Sequence, residues 1–124
     1  MFKGNLTDVL TEIAKQLSFD PAQLNQFAQQ APHAETRPDG NPWPSGTGSV
    51  NEKRILYAIT RAKNPILSLD IGTRWGAMAL QIAEGNKASA SPPGRVISVD
   101  NEKTIHGSKQ PVGKFIPKNM GVEF

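Results

Sequence analysis

The chain has 124 residues, 37% of them hydrophobic, a formal charge of +3 at neutral pH and no cysteine. That length suits one domain at most, and the missing thiols exclude disulfides, thiolate metal sites and a cysteine nucleophile. No run approaches the ~18 apolar residues of a membrane span, and Met1-Phe2-Lys3-Gly4-Asn5 lacks a signal-peptide core. With a mean hydropathy of -0.42, the expectation is a cytoplasmic protein that does not enter a membrane. Lys103, Lys109, Lys114 and Lys118 gather at the C-terminal end, which reads as a solvated tail rather than a nucleic-acid surface.

Asn5 is placed to cap a first helix, in which Leu6, Val9, Leu10, Ile13, Ala14 and Leu17 recur at helical spacing. Asp20-Pro21-Ala22-Gln23 opens a second helix, with an N-cap acid, proline at the first helical position and Gln three residues after the cap. Leu24, Phe27 and Ala28 form its apolar face. Residues 31–49 are rich in Pro, Gly, Ser and Thr, with one aromatic, Trp43, and read as a structureless stretch: a lid, a binding loop or disorder. Ser49-Val50-Asn51-Glu52 is a capping box for a third helix that ends at Asn64-Pro65. Residues 66–70 read as a buried strand. A fourth helix is expected from Gly76 to Glu84, with Gly85 as its C-cap. A polar connector over 86–94 leads to a second strand at 95–99. Beyond Glu102 periodicity is lost, and Gly107, Pro111, Gly113 and Pro117 oppose a long helix.

The chemistry-bearing stretch is Ile66-Leu67-Ser68-Leu69-Asp70-Ile71-Gly72-Thr73-Arg74-Trp75-Gly76, followed by Arg95-Val96-Ile97-Ser98-Val99-Asp100. Strand, glycine turn, helix, strand and acid is how a nucleotide-like ligand is held at the C-terminal edge of a parallel sheet. Glycine at 72 and 76 permits a sharp turn and a ligand approach that meets no Cβ. The helix N-terminus that follows offers free N–H donors and a partial positive charge. Asp100 has oxygens enough for both hydroxyls of a ribose, and Asp70 is expected to order the turn or reach an amino group. Each feature alone also suits a plain structural turn, so the conjunction is the signal. His33 and His106 have no acid at ligand or triad spacing and read as surface histidines; no metal-ligand cluster is apparent. Trp43 suits a lid aromatic or a loop anchor, Trp75 a packing residue or pocket border, and Arg74 a solvated turn residue.

Residues 49–100 resemble the small O-methyltransferases of the catechol and caffeoyl-coenzyme A type, a class I S-adenosylmethionine-dependent family. In that family an acid-x-Gly-x-x-x-Gly turn follows a helix with the flavour of Val50-Asn51-Glu52-Lys53-Arg54-Ile55-Leu56, and Gly94-Arg95-Val96-Ile97-Ser98-Val99-Asp100 matches its second-strand motif. The resemblance implies S-adenosyl-L-methionine as cofactor. Asp70, Gly72, Thr73 and Gly76 would form the first cofactor motif, Asp100 would bind the ribose, and the backbone near Val50 and Asn51 would line the pocket. Many class I methyltransferases have a further glycine where Arg74 stands, although that position varies among the small O-methyltransferases.

The expected fold is therefore α/β: a Rossmann-like methyltransferase unit over 49–124, preceded by N-terminal helices and a lid loop over 1–48. It would be truncated after the second or third parallel strand, the third starting near Gly121-Val122-Glu123-Phe124. The fourth strand of the family, with its catalytic or metal-binding acids, has no counterpart, so no catalytic residue is assigned. The expected function is S-adenosylmethionine binding. The alternatives are a non-catalytic fragment or split half that needs a partner chain, and an enzyme that cleaves the cofactor. The helices at 6–17, 50–62 and 76–84 are expected to cover the sheet, and its open edges predict a homo-oligomer that extends or swaps the sheet, or dependence on a missing C-terminal half. The tail from 103 to 124 is the segment expected to be exchanged or disordered.

Overall fold

The first three helices begin where a side chain satisfies the orphan N–H groups of a first turn. Asn5 accepts from the Asp8 N–H at 2.9 Å and starts α1, Leu6–Leu17; Asp20 accepts from the Ala22 N–H at 3.2 Å and starts α2, Pro21–Gln29. Ser49 accepts from the Glu52 N–H at 3.0 Å and starts α3, Val50–Lys63, which Asn64 closes in the left-handed conformation. These assignments come from a computed structural model, which describes residues 4–89, 92–105 and 108–124. His106 and Gly107 lie outside the described residues. Among the described residues, no helix is long and apolar enough to cross a membrane.

Strands β1, Leu67–Ile71, and β2, Arg95–Val99, pair in parallel, with Asp70 beside Ser98. Helix α4, Ala77–Ser89, carries the chain from one to the other. The tail supplies a 3₁₀ turn at Lys118–Met120 and β3, Val122–Glu123, which adds to β2 in parallel. The molecule is thus a mixed α/β unit with a three-stranded parallel sheet in the order β1-β2-β3. The helices stack in chain order, α1 on α2, α2 on α3 and α3 on α4. Val9, Leu10, Ala14, Leu24, Ala28, Ile55 and Ala58 form the core between the first three helices. Ile82 and Ala83 of α4 pack on Val96, with Leu56, Met120 and Val122 around them.

Three expectations are corrected. First, α4 does not stop at Gly85 but runs on to Ser89. A Cβ at Gly85 would meet the Tyr57 carbonyl oxygen at 2.8 Å and Thr60 Cβ at 2.9 Å, so this glycine lets α3 and α4 cross closely rather than ending a helix. Second, β1 is not a buried strand. Ser68 and Asp70 share the α4 side with Val96 and Ser98, but Leu67, Leu69 and Ile71 face away and are 55%, 60% and 78% exposed. A parallel strand is buried on both faces only when helices lie on both sides, and here α4 is packed on one side while α1, α2 and α3 lie behind it. The helices therefore do not cover both faces. Third, the described part of the tail is not disordered but built onto the turn. Thr104 bridges Pro111, Ile105 is buried, and Gly113 N–H and Phe115 N–H donate to the carbonyls of Arg74 and Trp75.

Loop 31–49 is likewise built. Thr36 bridges Pro42, Arg37 N–H donates to the Asn41 carbonyl, and the Arg37 guanidinium holds Asp39 through two hydrogen bonds.

Candidate functional site

The turn after β1 is latched to the end of β2. Gly72 N–H and Thr73 N–H both donate to the Val99 carbonyl, at 2.8 and 3.2 Å. Ser98 Oγ donates to Asp70 Oδ2 at 2.6 Å. Thr73 Oγ1 lies 2.6 Å from Ser98 Oγ and, because the serine proton goes to Asp70, is the donor in that bond. Asp100 Oδ2 accepts the Arg74 N–H and Oδ1 the Glu102 N–H, both at 3.0 Å. These donors, Arg74 first, hold the Asp100 carboxyl below the usual aspartate range. Arg74 itself adopts φ +50, the left-handed region that a glycine occupies without strain.

Ser98 is therefore the buried hinge pin of the turn, 1% exposed. Ser98→Ala leaves Asp70 Oδ2 and Thr73 Oγ1 without this partner and should destabilise the fold by about 1–3 kcal/mol. Urea denaturation checks this, and an unchanged midpoint would remove the chain Thr73–Ser98–Asp70 as a structural latch.

Two hollows flank the turn. One, of about 260 Å³, lies between Gly46–Gly48 and Glu52 on the lid side and Asp70–Trp75, Ala77 and Met78 on the other. The second, of about 250 Å³, lies between Gly72, Arg74 and Asp100 and the tail residues Ile105 and Val112. Gly72 and Arg74 border both. Gly72 has φ +85, and a Cβ built there meets no atom within 4 Å. Gly76 differs: a Cβ there would run into the Ile116 side chain, so its missing side chain admits the tail.

Of the residues expected in the site, Asp70, Gly72 and Thr73 line the first hollow, and Asp100 lines the second, joined to the first through Gly72 and Arg74. Asn51 borders a separate hollow with Gly4, Leu6 and Ser49, and Val50 is 37% exposed on α3; Thr47, Gly48 and Glu52 occupy the pocket wall expected of that segment.

Sequence reasoning missed Lys53. It is 2% exposed, and its Nζ donates to the Gly48 carbonyl at 2.8 Å and to Thr47 Oγ1 at 3.2 Å. Burial lowers its pKa from the ordinary lysine value, against the opposing pull of Glu52. A lysine within a helix gives no sign in sequence that it turns under a loop.

His33 is another correction. It is not a bare surface histidine: Nδ1 lies 3.0 Å from Glu84 Oε1 on α4. Its carbonyl accepts from both Trp43 Nε1 and Gln81 Nε2, so Trp43 anchors the loop onto α4. Trp75 stacks on Phe115 at 5.4 Å, Trp43 meets Phe115 edge-on at 6.0 Å, and the Arg37 guanidinium lies 4.0 Å over the Phe115 ring. Lid, turn and tail thus converge on one aromatic residue beside the first hollow.

No protein-family model, no curated protein and no solved structure matches this chain.

Proposed function

We propose that the chain binds S-adenosylmethionine or S-adenosylhomocysteine across the Gly72 turn, as the cofactor-holding part of a Rossmann-like, methyltransferase-type unit. The observation that carries this reading is the pair of hollows meeting over Gly72 at the C-terminal edge of parallel strands. An elongated ligand can pass from one to the other only where no side chain intervenes, and the space over Gly72 is clear. Each Asp100 oxygen already accepts one N–H and retains capacity for a ribose hydroxyl. Asp70 has Oδ2 committed to Ser98 and Oδ1 free of any protein donor among the described hydrogen bonds. The fit rests on Gly72, Asp70 and Asp100 and not on Gly76, whose open side Ile116 fills. When bound, the cofactor would supply an activated methyl group.

Calorimetric titration with both ligands tests the reading. Asp100→Ala should weaken binding roughly ten- to a hundredfold, the range for losing a charged hydrogen-bond partner. Equal affinity for the two proteins would remove the ribose assignment, and no binding to the wild type would remove the proposal. The pH profile is a second check. A carboxylate with a lowered pKa contributes fully above its ordinary value, and that contribution fades only as pH falls through the lowered one. Affinity should therefore stay level from neutral pH down to about pH 4 and decline below it.

A further inference from the structure

Lys53 is buried on α3 against segment 44–48, and its Nζ donates to the Gly48 carbonyl at 2.8 Å and to Thr47 Oγ1 at 3.2 Å. Thr47 Oγ1 donates onward to the Pro44 carbonyl at 2.9 Å, so one ammonium gathers Pro44, Thr47 and Gly48. The Trp43 ring lies 5.7 Å from the same nitrogen. Among the described residues, no backbone–backbone hydrogen bond joins 44–48 to another segment, and Lys53 supplies its polar ties to the rest of the fold. Gly46, Thr47 and Gly48 are also the lid-side wall of the first hollow, where Gly48 rests on the Met78 methyl group.

We propose that Lys53 is the positioning residue of that wall: its ammonium latches 44–48 over the first hollow, and release of this one side chain admits the ligand. The proposal rests on the reading of the hollow as a binding site. Burial makes the latch releasable. An ammonium taken out of water needs a carboxylate or a full set of hydrogen bonds in exchange. Among the described residues Lys53 forms no ion pair, and two neutral acceptors serve its three N–H groups. The cost of burial therefore offsets much of what the bonds contribute, and the same cost lowers the lysine pKa. With the segment lifted the ammonium regains water, so the two arrangements lie close in free energy. The segment is also jointed: Gly46 has φ +82 with open space around it, and Gly48 sits at φ +84.

A lysine that merely filled space would behave differently. An apolar chain of similar length would fill the site against 44–48 and relieve the fold of a buried charge, but it would offer the Gly48 carbonyl and the Thr47 hydroxyl nothing. Lys53→Met therefore separates two quantities that a purely structural lysine would move together. Global stability should hold or rise while the wall loosens.

Access to the hollow can be read without a ligand. The chain has no cysteine, so Met78→Cys places a single thiol on the opposite wall of the hollow, and its rate with N-ethylmaleimide measures how often 44–48 lifts. Adding Lys53→Met should raise that rate roughly tenfold or more, the equivalent of one charge-assisted hydrogen bond, with no fall in the urea midpoint. In the same Met78→Cys protein, Thr47→Val should raise the rate by a smaller factor, and Thr47→Ser, which keeps the hydroxyl, should react as slowly as the parent. The Thr47 pair decides alone if Lys53→Met does not fold. Equal rates with and without the Lys53 change, a rise matched by a fall in the urea midpoint, or Thr47→Ser as open as Thr47→Val would each overturn the proposal. S-adenosylhomocysteine should also leave Lys53→Met faster than it leaves the wild type. Unchanged release from a wild type that binds it would show that the ligand does not pass this wall and would overturn the proposal too. A wild type that binds no such ligand would remove the function proposed above and leave the thiol result standing.

Discussion

Gly72→Val should abolish binding of S-adenosylmethionine and leave the chain folded. The two requirements are separable because the glycine sits at φ +85 with no atom within 4 Å of a built Cβ. The fold would bear only the left-handed strain of an L side chain, about 1–2 kcal/mol. A ligand crossing the turn would meet the isopropyl group directly, and a loss of more than about a hundredfold follows from displacing it or the contacts to either side. Gly72→Ala is the graded control: similar strain, less bulk, weaker loss. Thermal melts followed by circular dichroism establish that each variant is folded, and calorimetry reads the affinity. A folded Gly72→Val that binds as the wild type does would show that the ligand does not cross the turn, and the paired hollows would need another explanation.

Gly94→Ala should be the most damaging glycine-to-alanine change among the described residues, about 3 kcal/mol. Arg95 N–H donates to the Ile66 carbonyl at 2.8 Å, which draws the start of β2 onto the segment that leads into β1. A Cβ at Gly94 would run into the Pro65 carbonyl oxygen. The added carbon meets backbone there, and no rotamer relieves the overlap. The domain's total stability is only about 5–15 kcal/mol, so the urea midpoint should fall markedly. Gly46→Ala is the comparison: φ is +82 and the surroundings are open, so it bears only the backbone cost of about 1 kcal/mol. If the two variants lose equal stability, the close approach at Pro65 is not what position 94 requires.

What could be read from the sequence was local. Asn5, Asp20 and Ser49 cap their helices because a cap needs only the two or three residues that follow it. The strands are visible as apolar runs between breakers at 66–70 and 95–99, the first one residue early against Leu67–Ile71, and the turn residues Asp70, Gly72 and Thr73 do gather at one hollow. The failures all involve a distant partner. Gly85 looked like a helix stop, whereas its role is set by Tyr57 and Thr60 on another helix. The 31–49 segment looked unstructured because its ties run to Gln81, Glu84 and Phe115, far along the chain. The burial expected of β1 fails because an apolar strand states that a cover is wanted and not whether one is present. Gly76 fitted a ligand-approach motif, but the atom that needs the room belongs to Ile116.

The short third strand has a kinetic consequence. The helical layers meet neighbour by neighbour in chain order, so their contacts are more local than the return of the tail to β2. β3 has two residues, returns to β2 after the whole tail has been laid down, and is fastened at its rim by an exposed Arg95–Glu123 pair of the kind that adds little. It is therefore the last element to join and the first to fray. Fraying would not stay at the rim, because the Phe124 ring lies over Gly113 and the Gly113–Ile116 strap is bonded to the Arg74–Trp75 turn. Peeling two residues from the sheet loosens the strap that follows Val112, a residue lining the second hollow. Fraying at this sheet edge should therefore be felt beyond the edge itself, as faster amide exchange in the tail and in the Arg74–Trp75 turn than in the helices.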